Sequence, residues 1–135
     1  MLRPGGMLLA VREHVVSRAA DLPRFLAQHP LHRLYGGEHA YPLAEYERAL
    51  SAAGLAIVRR LGSFDSPINY APYTRAGLRT ELARRAGRLP GGAWLVERLL
   101  RAPGLERRLL GLLTRLDSRP GRLYSFVCVR PGGNR

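Results

Sequence analysis

All four histidines of this 135-residue chain lie within its first 39 positions, at His14, His29, His32 and His39. Imidazole ordinarily titrates near pH ~6.5, so these rings are the natural candidates for moving a proton at neutral pH. His14 closes the triplet Arg12-Glu13-His14 at the end of an apolar run. It is the candidate general base for an acceptor hydroxyl or amine, with Glu13 as a second catalytic candidate and Arg12 as a substrate contact. The competing reading is a histidine making structural hydrogen bonds at the mouth of a loop. His29, His32, Glu38 and His39 form the densest ionisable cluster. His29-x-x-His32 has a metal-like spacing, but Pro30 interrupts the helix that would align the two rings and no thiol is at hand, so no metal site is expected. Substrate contacts from an irregular loop are the expected role, with plain solvation as the alternative. Asn69, Tyr70 and Tyr73, within Ser66-Pro67-Ile68-Asn69-Tyr70-Ala71-Pro72-Tyr73, bring donors and aromatic surface. They suit either an acceptor pocket or packing of an insertion.

Other chemistries are excluded by what is missing. The chain contains no lysine, hence no phosphate-binding Gly-Lys loop, and no Gly-x-Ser-x-Gly turn. Cys128 is the only cysteine, which rules out an intrachain disulfide and fits a reducing cytoplasm. Met7 to Val11 is too short for the ~7–15 residue apolar core of an export signal and far short of a membrane span. The net charge of +12 comes entirely from arginine and is uneven. Residues 1–64 hold 8 Arg against 5 acids, and residues 65–135 hold 14 against 5. Arginine without lysine is what a GC-rich genome writes on any solvated surface, so nucleic acid is not the expected partner. An anionic membrane or a phosphorylated ligand remains compatible with the second half.

The elements that must hold these residues follow from periodicity. Leu2-Arg3-Pro4-Gly5-Gly6 is a turn. The unbroken run from Met7, continuing toward Val16, predicts a strand covered on both faces. Leu22, Phe25 and Leu26 predict a short helix, with Asp21 as its cap and an end at His29-Pro30. Residues 29–41 read as irregular. Leu43, Tyr46, Ala49 and Leu50 predict a crossover helix starting at Pro42 and capped by Gly54, and Leu55 to Val58 a second strand. Residues 75–116 read as Arg-rich helix broken at Pro90-Gly91-Gly92 and Pro103-Gly104. Leu105, Leu109, Leu112, Leu113 and Leu116 share a face that suits a core or a lid; its Arg flank and Trp94 leave interfacial membrane contact as the alternative. Leu123 to Val129 predicts the last strand, and Pro131-Gly132-Gly133 a frayed end. Three regions result: 1–64, an insertion or lid at 65–121, and 122–135. Three strands and one crossover helix supply too little cover for the first strand, so a companion segment, N-terminal to Met1 or on another chain, is expected.

This order resembles the C-terminal half of class I S-adenosylmethionine-dependent methyltransferases of the type 11-like group. The resemblance rests on Leu2-Arg3-Pro4-Gly5-Gly6 before the first strand and Ala52-Ala53-Gly54-Leu55 before the second, and covers residues 2–64 and 122–130. His29-Pro30-Leu31-His32 to Gly36-Gly37-Glu38-His39-Ala40-Tyr41 is similar to a subgroup feature. The resemblance implies an α/β fold: the last three strands of a Rossmann-like sheet, the final one antiparallel between its neighbours, with an Arg-rich helical insertion. It implies the acceptor side of a cleft for methyl transfer to a small molecule or glycan. The family's cofactor positions are absent, for no Gly-x-Gly occurs anywhere. S-adenosylmethionine is therefore expected to belong to the parent enzyme and the isolated chain to be inactive. The rivals are a non-enzymatic basic module binding RNA or anionic membrane through residues 75–122, and a decayed remnant.

Overall fold

The structure, a computed structural model, describes residues 2–132. The end of the Pro131-Gly132-Gly133 tail, from Gly133, lies outside the described residues. The chain divides into a sheet unit, Met1–Leu61 with Ser118–Arg135, and a helical unit, Gly62–Asp117.

In the sheet unit, β1 (Met7–Val16), β2 (Tyr41–Pro42), β3 (Ala56–Leu61) and β4 (Arg122–Val129) form one sheet in the order β2-β1-β4-β3. β4 runs antiparallel to both β1 and β3, so the last strand lies between the first and the third. β2 runs parallel to β1. The central position of β4 fits its β-branched and aromatic content; Phe126 and Cys128 are almost fully buried. Helix α3 (Leu43–Ala52) covers one face, laying Leu43, Tyr46 and Leu50 against Val15, Tyr124, Phe126 and Cys128, with Leu8, Ala10 and Ile57 beside them. Each large side chain fully removed from water there contributes about 1.5–3 kcal/mol. Gly54, at φ +74, ends the helical segment as its position suggests, and Leu55 N–H reaches back to the Leu50 carbonyl.

Three sequence expectations change. β1 is not covered on both faces: Leu8 and Ala10 pack under α3, but Met7, Leu9 and Val11 are 58%, 59% and 47% exposed. Among the described residues, the helix against that half of the strand is α3, on the Leu8–Ala10 side. Residues 29–41 are not irregular throughout. α1 (Leu22–Gln28) is followed at once by α2 (Pro30–Tyr35), and Tyr41–Pro42 adds the short strand. Pro30 starts α2 because the first helical N–H has no intrahelical acceptor, so its loss costs nothing. His29 takes the extended conformation that a residue before proline prefers. Asp21 precedes α1, but its carboxylate accepts the Arg18 N–H and does not cap the helix.

The helical unit comprises α4 (Arg75–Ala86), α5 (Gly92–Arg101) and α6 (Pro103–Leu116), with breaks at the two Pro-Gly sites. Thr74 caps α4 by accepting the Gly77 N–H. The interior is built from Tyr70, Leu78 and Leu110, with Phe64, Tyr73, Leu82 and Leu113 around them. Buried Glu106 of α6 accepts hydrogen bonds from Arg75 and Arg79 and so ties α6 to α4. The expected leucine face is split. Leu113 packs inward, whereas Leu105, Leu112 and Leu116 are exposed. Among the described residues no helix is long and apolar enough to cross a membrane.

Candidate functional site at the carboxyl end of β1

The placement of His14 depends on one extra residue. Ala10 pairs with Phe126 and Glu13 with Tyr124, so three steps along β1 match two along β4. This is a β-bulge, and Arg12 within it adopts φ +61 while its N–H donates to Ser125 Oγ at 3.1 Å. Side chains alternate along a strand, so the inserted residue reverses the faces beyond it. Without it His14 would share the face of Leu8 and Ala10 under α3. With it, Glu13 and Val15 take that face and His14 turns to the other, beside Phe25 of α1.

There His14 meets a partner 107 positions away. Its Nδ1 lies 2.9 Å from the Gly121 carbonyl. A carbonyl only accepts, so Nδ1 carries the proton and the neutral ring keeps its lone pair on Nε2. Gly121 sits at φ +77, and a Cβ there would lie 2.3 Å from the Phe25 ring. Glycine is therefore the residue that fits, and its own N–H is held by the Val15 carbonyl. The imidazoles of His14 and His29 meet edge to face at 4.9 Å, and Phe25 lies 4.9 Å from the first and 5.1 Å from the second. His29 Nδ1 accepts the His32 N–H at 3.4 Å, which places the His29 proton on Nε2. The buried His32 Nδ1 has no hydrogen-bond partner among the described residues.

On the α3 side, the Tyr46 hydroxyl donates to the His14 carbonyl at 3.0 Å. Burial, and then the charge of Glu13, push that hydroxyl up to about 12. Tyr41 meets Tyr46 edge to face, and His39 stacks on Tyr41 at 4.2 Å. The cluster expected from sequence is thus divided. His29 and His32 join His14, His39 joins the tyrosines, and Glu38 is partly buried with no ion pair among the described residues. The Arg12 residue is exposed, and Glu13 points away from the His14 ring. Among the described residues no three His, Cys, Asp or Glu side chains are grouped to hold a metal ion.

Asn69, Tyr70 and Tyr73 belong to the interior of the helical unit. Asn69 Nδ2 donates to the Gly62 carbonyl at 3.0 Å, and burial raises the Tyr70 hydroxyl. Gly121, Tyr41 and Tyr46 are site residues as well; the sequence reading put Tyr41 in an irregular segment and Tyr46 on a helix face, and did not single out Gly121. A Pro-Gly turn beside the last strand was the available signal for Gly121. Burial raises the Cys128 thiol, which leaves it a poor nucleophile.

No family model matches the chain. Among characterised proteins it is similar to the ubiquinone biosynthesis O-methyltransferase of Rhizobium rhizogenes, 38% identical over 72 residues. The enzyme of the same name from Rhizobium etli is 36% identical over 73 residues. The matched stretch is 50% and 51% of this chain but 29% of either relative, so the chain spans under a third of their length. The similarity supports a methyltransferase domain, as the two glycine turns led us to expect.

Proposed function

We propose that this chain supplies the acceptor side of an O-methyltransferase, with His14 as the base that takes the acceptor hydroxyl's proton. The carrying observation is the identity of 36–38% to O-methyltransferases over half of the chain. The site geometry adds a chemical rationale. Ligands of open α/β sheets bind beyond the carboxyl ends of parallel strands, and His14 stands near that end of β1, its Nε2 without a hydrogen bond among the described residues. The acceptor is a hydroxyl of a small molecule; a glycan would offer the same chemistry. In this reading His29, with its Nε2 proton, and the His39–Tyr41 stack are substrate contacts.

S-adenosylmethionine would supply an electrophilic methyl group, but the residues present do not fit it. The chain has no Gly-x-Gly turn to approach the nucleoside, so the donor is held by other polypeptide. Two features support such a companion. The two-residue β2 pairs with Val15 and Val16, so among the described residues Met7 to His14 have no strand along that edge of β1. On the adjoining face Met7, Leu9 and Val11 are exposed.

Calorimetry of the isolated chain with S-adenosylmethionine should show no binding. Micromolar binding would overturn the division of labour. Supplying the companion, whether encoded in the same frame or as another chain, should restore methyl transfer that His14→Asn lowers by about 10²–10⁴-fold. An unimpaired variant would refute the base.

A further inference from the structure

Helices α5 and α6 present side chains that the interior of the helical unit does not use. On α6, Leu105, Leu112 and Leu116 recur at intervals of seven and four and so form one stripe. They are 43%, 53% and 69% exposed, while Glu106, Leu110 and Leu113 take the packed side about a quarter turn away. Arg108 and Arg115, seven residues apart, run along one flank of the stripe. On α5, Trp94 and Leu95 are 64% and 50% exposed, and the Arg98 guanidinium lies 5.5 Å above the Trp94 ring.

Residues 62–117 hold 10 Arg against 5 acids. Arg75, Arg79, Arg84, Arg85 and Arg101 pair with Glu106, Glu81 and Glu97. Arg88, Arg98, Arg107, Arg108 and Arg115 have no carboxylate partner among the described residues. A solvated face would account for these arginines but not for the exposed leucines and tryptophan of the same helices. Phosphates of RNA would satisfy the cations and a base could stack on Trp94, yet RNA offers no continuous apolar layer for a leucine stripe. An anionic bilayer answers both, since phosphates lie at its surface and acyl chains just below. At about 21 Å, α6 is too short to span a membrane and suited to lie along one.

We propose that α5 and α6 bind an anionic phospholipid surface. Leu105, Leu112, Leu116, Trp94 and Leu95 enter the headgroup–acyl boundary, and Arg98, Arg108 and Arg115 beside them meet lipid phosphates. This inference is independent of methyl transfer. Trp94 is the sole tryptophan, so its emission reports one site on the full chain. Vesicles of phosphatidylcholine with phosphatidylglycerol should shift that emission to the blue and sediment the protein. Pure phosphatidylcholine should do neither as strongly, and raised salt should weaken both effects. Arg108→Gln and Arg115→Gln should each lower affinity roughly fivefold. Leu112→Glu with Leu116→Glu should lower it at least tenfold, with unchanged circular dichroism because both positions are exposed. Absence of a shift and of sedimentation with anionic vesicles would overturn the proposal, as would undiminished binding by the double leucine variant. Binding of polyuridylate in place of vesicles would assign the arginines to RNA and overturn it equally. Loss of Trp94 exposure by self-association, seen in the mass by light scattering without vesicles, would assign the stripe to a second copy.

Discussion

Gly121→Ala tests the turn that fixes His14. Two costs are separable in the structure. The first is conformational: Gly121 sits at φ +77, where an L side chain costs about 1–2 kcal/mol. The second is steric. The new Cβ would lie 2.3 Å from two ring atoms of Phe25, which is itself buried against Val16 and Ala40. Forcing a methyl group into a packed site typically costs about 1–3 kcal/mol. Together they give about 2–5 kcal/mol. Gly54→Ala provides the control, since Gly54 has nearly the same φ, +74, and nothing within 4 Å of its Cβ position. It should lose only the conformational part. Urea titration followed by far-ultraviolet circular dichroism gives both values on the same chain. Gly121→Ala should unfold at distinctly lower urea than Gly54→Ala. In the residual native state, ring nitrogen shifts should show the Nδ1-protonated form of His14 less populated than in the parent. Equal destabilisation by the two variants would refute the close approach of Phe25 to the turn, and with it the account of how the imidazole is held.

Two further outcomes follow from ionisable groups. Burial pushes the Glu106 carboxyl up, but hydrogen bonds from Arg75 and Arg79 outweigh it and hold it below the usual carboxylate range. A carboxyl depressed on folding stabilises the native state above its unfolded pKa, near ~4.3, and that stability is lost as pH falls through the folded value. Trp94 emission during unfolding should therefore show the helical unit weakening below about pH 4. Glu106→Gln should cost about 1–3 kcal/mol at neutral pH, discounted for the exposure of both arginines, and should flatten that acid limb. A variant that keeps the limb would remove Glu106 as its cause. In an alkaline spectrophotometric titration, Tyr46 should still hold its proton when ordinary tyrosines near pH ~10 have ionised. Apart from Tyr70, whose hydroxyl burial also raises, the late component, near pH 12, should vanish in Tyr46→Phe, which should also lose about 0.5–1.5 kcal/mol with the bond to the His14 carbonyl. Persistence of the late component would place it elsewhere.

Much of the secondary structure was legible because it is local. The Leu43-Tyr46-Leu50 spacing, the Gly54 cap, the Pro-Gly breaks in 75–116 and the β-rich last strand each follow from a few neighbouring residues. Pro30 misled because proline stops a preceding helix and starts a following one equally well, and only the capping of His32 N–H by His29 decides between them. The leucines of α6 misled because periodicity gives a face and not what lies against it. Leu110 and Leu113 lie toward the Tyr70–Leu78 interior, a quarter turn or so from the stripe that stays in water.

The sequence by itself determined which residues were available for proton transfer, the glycine turns before β1 and β3, and the absence of a nucleoside-binding glycine motif. Those are properties of residue type and short spacing. The tertiary structure decided which of these residues meet. His14 faces Phe25 and His29 only because β1 carries one residue more than β4 between Ala10 and Glu13. Its proton sits on Nδ1 only because a carbonyl 107 residues away lies within hydrogen-bonding distance. Strand register and long-range contact arise from pairing between segments, and no window along a single segment contains them.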